Sequence, residues 1–214
     1  MSDPEFHSYR PAEGHGLAHD PLNAIVAPRP IGWISTVDAQ GVPNLAPYSF
    51  FNLFGYRPPI IGFSSGGEKD SLANARATGE FVWNLVSRDL AEAMNASSAE
   101  VRAGIDEFGL AGLETLPSLD VAAPRVARSP VQFECKVTQI LRLDAASGAP
   151  TDHWMVFGEA VRIHIHPDHI VEGLYRTASP RPVVRGGGPA DYFEISEDRR
   201  FEMRRPVPAP GTGR

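Results

Sequence analysis

Cysteine is almost absent: Cys135 is the only one in 214 residues, so an intramolecular disulfide is impossible and no second thiol is available for redox exchange. It stands in the alternating run Val131, Phe133, Cys135, Val137, where it points the same way as three apolar neighbours. A small buried hydrophobe is expected there. Positive charge is also short, with 20 Lys and Arg against 26 Asp and Glu and a net charge of −6. That balance argues against a sequence-independent grip on nucleic acid phosphates. No apolar run is long enough to span a bilayer, and the opening MSDPEFHSYRPAEGHG has no basic stretch followed by an apolar one. The expectation is a soluble cytoplasmic protein with no membrane contact. No G-x-G-x-x-G leads from a strand into a helix, and neither βαβ alternation nor internal repeats are visible. A doubly wound dinucleotide-binding fold is therefore disfavoured.

Glycine and proline, 20 of each, are abundant instead, which favours a turn-rich β or α+β protein over a helical bundle. One domain is expected over residues 23–205, with a polar N-terminal arm at 1–22 and a tail at 206–214. Strands are expected from Ile31 to Val37, Pro43 to Ser49, Pro59 to Ser64 and Glu80 to Val86, the first pair joined through Asp38-Ala39-Gln40-Gly41. The run Val131 to Leu141 directs Val, Phe and Cys inward and Gln, Glu, Lys and Thr outward. It should pair antiparallel with Trp154 to Ile165, where Val161, Ile163 and Ile165 continue the alternation. A helix is expected over DSLANARATG, with Asp70 as N-cap and Gly79 as terminator. A second helical block should run from Arg88 to Phe108, with a capping box at Ser97 and Glu100 and a stop at Gly109.

Several constellations could carry chemistry. At a helix start, Lys69-Asp70-Ser71 combines free N–H groups, a full positive charge and a hydroxyl, which suits a phosphate. An ordinary solvated helix cap uses the same residues. In Ala46-Pro47-Tyr48-Ser49-Phe50-Phe51-Asn52 the proline withdraws a donor from the strand, and nearby backbone groups are left for a flat heteroaromatic ligand. At least two of Phe50, Phe51, Leu53 and Phe54 are expected in the core. Asn84 is a polar residue inside FVWNLV and needs either a polar partner or a solvated face. His164, His166, Asp168 and His169 are crowded, yet the turn at Pro167-Asp168 favours a polar strand face over a metal site. No metal is expected.

The order of residues from Arg29 to Ser65, RPIGWISTVDAQGVPNLAPYSFFNLFGYRPPIIGFSS, resembles the flavin reductase-like family of FMN-binding split-barrel proteins. There an R-P-I/V strand leads through Ser-Thr and a Gly turn to A-P-x-S-F. The resemblance implies a mainly β (α+β) fold, a split β-barrel of antiparallel strands with helical decorations. It implies FMN as cofactor, with Ser49 and the backbone of Ala46, Pro47, Tyr48, Phe50 and Asn52 near the ring or ribityl chain, and Ser35 and Thr36 contributing from the first strand. Lys69, Asp70 and Ser71 match a Lys-Asp-Thr triplet that meets the phosphate, and Asn84 matches an F-V-x-N strand. Asp152-His153 with Gly158 resembles a G-D-H-x4-G-x-V strand, which implies His153 as the catalytic residue beside the reactive face; Thr151 stands where Gly is usual. Arg185 and Tyr192 match a C-terminal flap near the flavin, drawn in some members from the partner subunit. The implied activity is hydride transfer from NADH or NADPH to flavin in a homodimer, with a monooxygenase or another electron acceptor downstream. The alternative is a non-enzymatic electron-transfer protein of the flavoredoxin type.

Overall fold

The computed structural model describes residues 6–102 and 104–207. Seven strands form one sheet: β1 (Gly32–Val37), β2 (Pro43–Tyr48), β3 (Phe51–Tyr56), β4 (Pro59–Gly66), β5 (Glu80–Asn84), β6 (Val131–Asp144) and β7 (Pro150–Ile165). Their order is β2-β1-β5-β6-β7-β4-β3, and every pairing is antiparallel. The two outermost strands, β2 and β3, are consecutive in the chain and joined by Ser49 and Phe50 alone. The sheet must therefore curl until its ends approach, while no ladder closes the gap between them. That gap is the split in the barrel.

The inner face confirms the curl. Each strand sends at least one buried residue into a shared core: Ile34, Tyr48, Phe51, Phe63, Phe81, Cys135 and Val156. Cys135 is fully buried as expected, and burial pushes its thiol pKa up, keeping it protonated. A second core lies on the other face of β1, where Trp33 and Leu45 meet Leu90, Met94, Phe108 and Val126. The turn after β1 follows its sequence. Asp38 Oδ1 accepts from the Gln40 and Val42 amides, and Gly41 takes a φ of 85°.

The helix α1 (Asp70–Thr78) ends at Gly79 in the left-handed region, as the sequence suggests, but its N-cap is Lys69 and Asp70 is its first residue. The block after β5 is not one helix. It contains a single 3-10 turn (Arg88–Leu90), a short helix (Ala91–Ala96) and, after irregular chain, another at Glu107–Leu110 that includes Gly109. The expected capping box does not form, because Ser97 Oγ accepts from Trp33 Nε1 at 2.9 Å and donates to the Met94 carbonyl at 2.8 Å.

Three further expectations are corrected. The segment 51–56 is a sheet strand, and only Phe51 of the four apolar residues is core; Phe50, Leu53 and Phe54 are exposed on or beside the edge. Gln132 and Glu134 are buried, not outward, because the chain around residues 117–129 folds over that face of β6. Glu134 accepts from the Leu119 and Asp120 amides and meets His164 Nε2 at 2.6 Å, which engages the histidine singled out above. Val161, Ile163 and Ile165 are exposed. A three-stranded sheet adds Arg29–Pro30, Val183–Arg185 and Tyr192–Glu194 beside the barrel. Among the described residues no helix is long and apolar enough to cross a membrane.

Candidate functional site

A cavity of about 530 Å³ lies beside the end of β2, between it, β4 and the start of α1. Its walls collect most of the residues singled out in the sequence: Ala46, Pro47, Tyr48, Ser49, Phe50, Lys69, Asp70, Ser71 and His153. They arrive from three directions. The end of β2 and the Ser49-Phe50 link after it supply the first five, the start of α1 supplies the next three, and β7 brings His153 opposite Gly66 of β4. A hydrogen bond from the Gly67 amide to the Asp152 carbonyl at 2.8 Å holds the last approach.

The start of α1 is wired to β2. Asn44 Nδ2 donates to Ser71 Oγ at 2.9 Å and to Thr36 Oγ1 at 3.2 Å, and Asn74 Nδ2 donates to the same Thr36 oxygen at 3.1 Å. Because Ser71 accepts in this bond, its own O–H is left to donate. The Lys69 side chain is exposed at the helix start, where the orphan N–H groups and the dipole favour an anion.

Tyr48 gives the cavity its sharpest requirement. Its hydroxyl is buried without a hydrogen-bond partner, although Ser71 and Ser65 lie beside it. Burial pushes the phenol pKa up, so the group is a neutral donor. A buried hydroxyl of this kind calls for a polar partner, and a polar ligand would supply one. A phosphate-bearing heteroaromatic cofactor fits the donor set: a cation, a helix start and the neighbouring Ser71 and Tyr48 hydroxyls, with Pro47, Ser49 and Phe50 on the wall beside them.

Four sequence candidates lie elsewhere. Ser35 points to the second core and donates to the Pro124 carbonyl at 2.5 Å. Asn84 is fully buried, donates to the Trp33 carbonyl and accepts from the Val126 amide at 2.8 Å. It meets neither solvent nor the cavity, since its face of β5 is covered by residues 124–126. Thr36 stands behind the wall, where its Oγ1 accepts from Asn44 and Asn74. Asn52 is exposed on β3 and accepts from the Leu53 amide. Arg185 and Tyr192 line an adjoining cavity of about 220 Å³ that shares Pro47, Tyr48, Ser49 and Phe50 with the larger one.

The structure also adds residues that sequence reasoning missed. Glu107 is buried on the cavity wall, with Oε2 accepting from the Leu45 amide at 3.0 Å. Burial raises its carboxyl pKa, opposed by that hydrogen bond and reinforced by Asp70 and Asp106. Nothing local marked it, because its position depends on the helical block folding back. Asn44 and Ser64 are likewise on the wall. Arg29, in the quoted R-P pair, carries no role in the sequence reading yet lines the adjoining cavity.

A model of the flavin reductase like domain matches residues 26–182. The chain belongs to the flavin reductase-like family. This family member is 34% identical over 191 residues to an uncharacterised protein of Halalkalibacterium halodurans, covering 87% of this chain and 90% of that one. Among solved structures, it superposes on nitrilotriacetate monooxygenase component B from Bacillus cereus with a TM-score of 0.84 and 27% identity, over 94% of this chain and 100% of that one. The 2-nitrobenzoate 2-nitroreductase of Pseudomonas fluorescens aligns with a TM-score of 0.76 and 30% identity, covering 89% of this chain and 92% of that one. The antiparallel sheet is thus the split barrel of this family.

Proposed function

We propose that this flavin reductase-like protein binds FMN in the 530 Å³ cavity and is an oxidoreductase using NADH or NADPH, built as a single flavin-binding domain over residues 23–205. The observation that carries the reading is the convergence of Lys69, Ser71 and the unpartnered Tyr48 hydroxyl on one cavity. Bound FMN would supply hydride-accepting chemistry at its N5 atom. The chain's own groups bind and orient. Lys69, the α1 amides and the Ser71 hydroxyl hold the phosphate; Pro47, Ser49 and Phe50 form the wall for the ring; the buried Tyr48 hydroxyl beside Ser71 is a further donor. His153 stands at the cavity mouth, exposed, where an imidazole can orient a nicotinamide or exchange a proton with solvent.

A homodimer forms part of the proposal. Leu53, Phe54 and Tyr56 are 52%, 56% and 76% exposed on β3, which pairs on one side only. An apolar sheet edge of that kind is suited to cover by a second subunit. An external monooxygenase or other acceptor would then take the electrons.

The test is optical. Purified protein is titrated with FMN, and NADH or NADPH is added without air while flavin absorbance is followed. Bleaching at a rate that supports turnover is expected. A yellow protein indifferent to both nucleotides would instead be an electron carrier, and a protein that takes up no flavin would end the proposal.

A further inference from the structure

Arg29 and Arg185 are direct cross-strand partners. Arg29 is 8% exposed. Its Nη1 donates to the Asn23 and Val26 carbonyls, and its Nη2 donates to Gly186 O at 3.1 Å. Its Nε is buried with no partner. Arg185 Nη2 donates to the carbonyls of Gly188 and Pro189 at 3.1 and 3.0 Å. Each guanidinium is also braced by a ring, Arg29 over Phe50 at 5.7 Å and Arg185 over Tyr192 at 4.7 Å.

Every acceptor that these two groups have is a neutral carbonyl. Among the described residues neither arginine forms an ion pair with Asp or Glu, while nine other arginine contacts of that kind exist. Carbonyls satisfy hydrogens without cancelling charge, so two adjacent cations, one of them buried, stand without a counter-ion. Burial and the neighbouring Arg185 both lower the Arg29 pKa, but a guanidinium stays charged in proteins. Like charges are normally kept apart or bridged by an acid. Both line the 220 Å³ cavity, together with Ser49, Ser98 and Tyr192.

We propose that this cavity is an oxyanion subsite, separate from the helix start at Lys69, in which Arg29 and Arg185 hold the phosphate or carboxylate of a second ligand beside the flavin. Guanidinium groups match both oxyanions in geometry, and the shared Pro47-to-Phe50 wall places such a ligand next to the ring site. The inference rests on the proposed flavin site for the identity of that neighbour. Its anion chemistry does not depend on it.

The experiment measures anion binding directly. Protein titrated with FMN is studied by calorimetry at low salt with pyrophosphate, standing for a dinucleotide, and with benzoate, standing for an aromatic acid acceptor. At least one probe should bind, and Arg185→Gln should weaken it about tenfold, whereas Arg199→Gln at the exposed surface should not. Binding of pyrophosphate alone assigns the subsite to a dinucleotide, and of benzoate alone to an acid acceptor; both support it. If neither probe binds, or if Arg185→Gln weakens FMN itself as much as the probe, the subsite is refuted. Failure of the wild-type protein to take up FMN would overturn the flavin reading, and the same titrations without FMN would still decide the anion site.

Discussion

Asn44 donates to Ser71 Oγ at 2.9 Å, a bond that ties the β2 strand to the first turn of α1 and leaves the serine proton free for the cavity. Replacing it should therefore disturb ligand binding more than folding. Asn44→Ala is expected to lower FMN affinity about tenfold, the order of one charge-assisted hydrogen bond, while lowering stability by about 1 kcal/mol. Flavin fluorescence quenching and thermal melting measure the two effects. An unchanged FMN affinity would remove Ser71 from the phosphate site.

Lys69 offers a cleaner separation because its side chain is exposed at the helix start. Lys69→Ala should weaken FMN about tenfold and leave the melting temperature where it was. Riboflavin, which lacks the phosphate, should bind wild type and variant alike. A parallel loss for both flavins would place the lysine against the ring or ribityl chain instead.

The Glu134 and His164 pair predicts a pH effect on stability. Burial alone would push the Glu134 carboxyl pKa up, but the Leu119 amide, His164 and the Asp120 amide together bring it below the ordinary value. A carboxyl depressed in the folded state contributes stability above its unfolded pKa and loses it as pH falls through the folded one. Wild-type melting temperature should thus drop through the range from about pH 5 downward. Glu134→Gln, lower in stability at pH 7, should show a shallower fall; identical slopes would show that the pair carries no linkage.

Gly158 tests the packing of the barrel. It sits where β6 and β7 change register, and a Cβ there would lie 2.4 Å from a Phe81 ring carbon. Gly158→Ala should cost about 1–3 kcal/mol through overpacking, read from urea unfolding. A cost near zero would mean that the Phe81 ring can swing away.

Legibility in the sequence tracked the range of the interactions involved. The Asp38 to Gly41 turn, the Gly79 terminator and the inward Cys135 were readable because dihedral preference and period-two alternation are local properties. Glu134 misled the same alternation: its outward-facing character holds only until residues 117–129 lay donors over it. Asn84 was recognised as needing a partner, and it has three, yet they come from Trp33, Ser35 and Val126, not from a ligand. The Phe51–Tyr56 strand was missed because its apolar residues read as core, whereas most of them line an open edge.

By itself the sequence determined most of the barrel's strand runs, the α1 helix and the family, since these depend on residue order and short-range geometry. Only the tertiary structure decided which candidates share a cavity. Joining β2 to β3 through two residues forces the sheet to curl, and that curl brings Lys69, Tyr48 and His153 around one opening while turning Ser35 and Asn84 away. In the separate three-stranded sheet, the pairing of Arg29–Pro30 with Val183–Arg185 sets Arg29 against Arg185, residues far apart along the chain. Contacts of that separation arise from chain topology and burial, which no local pattern encodes.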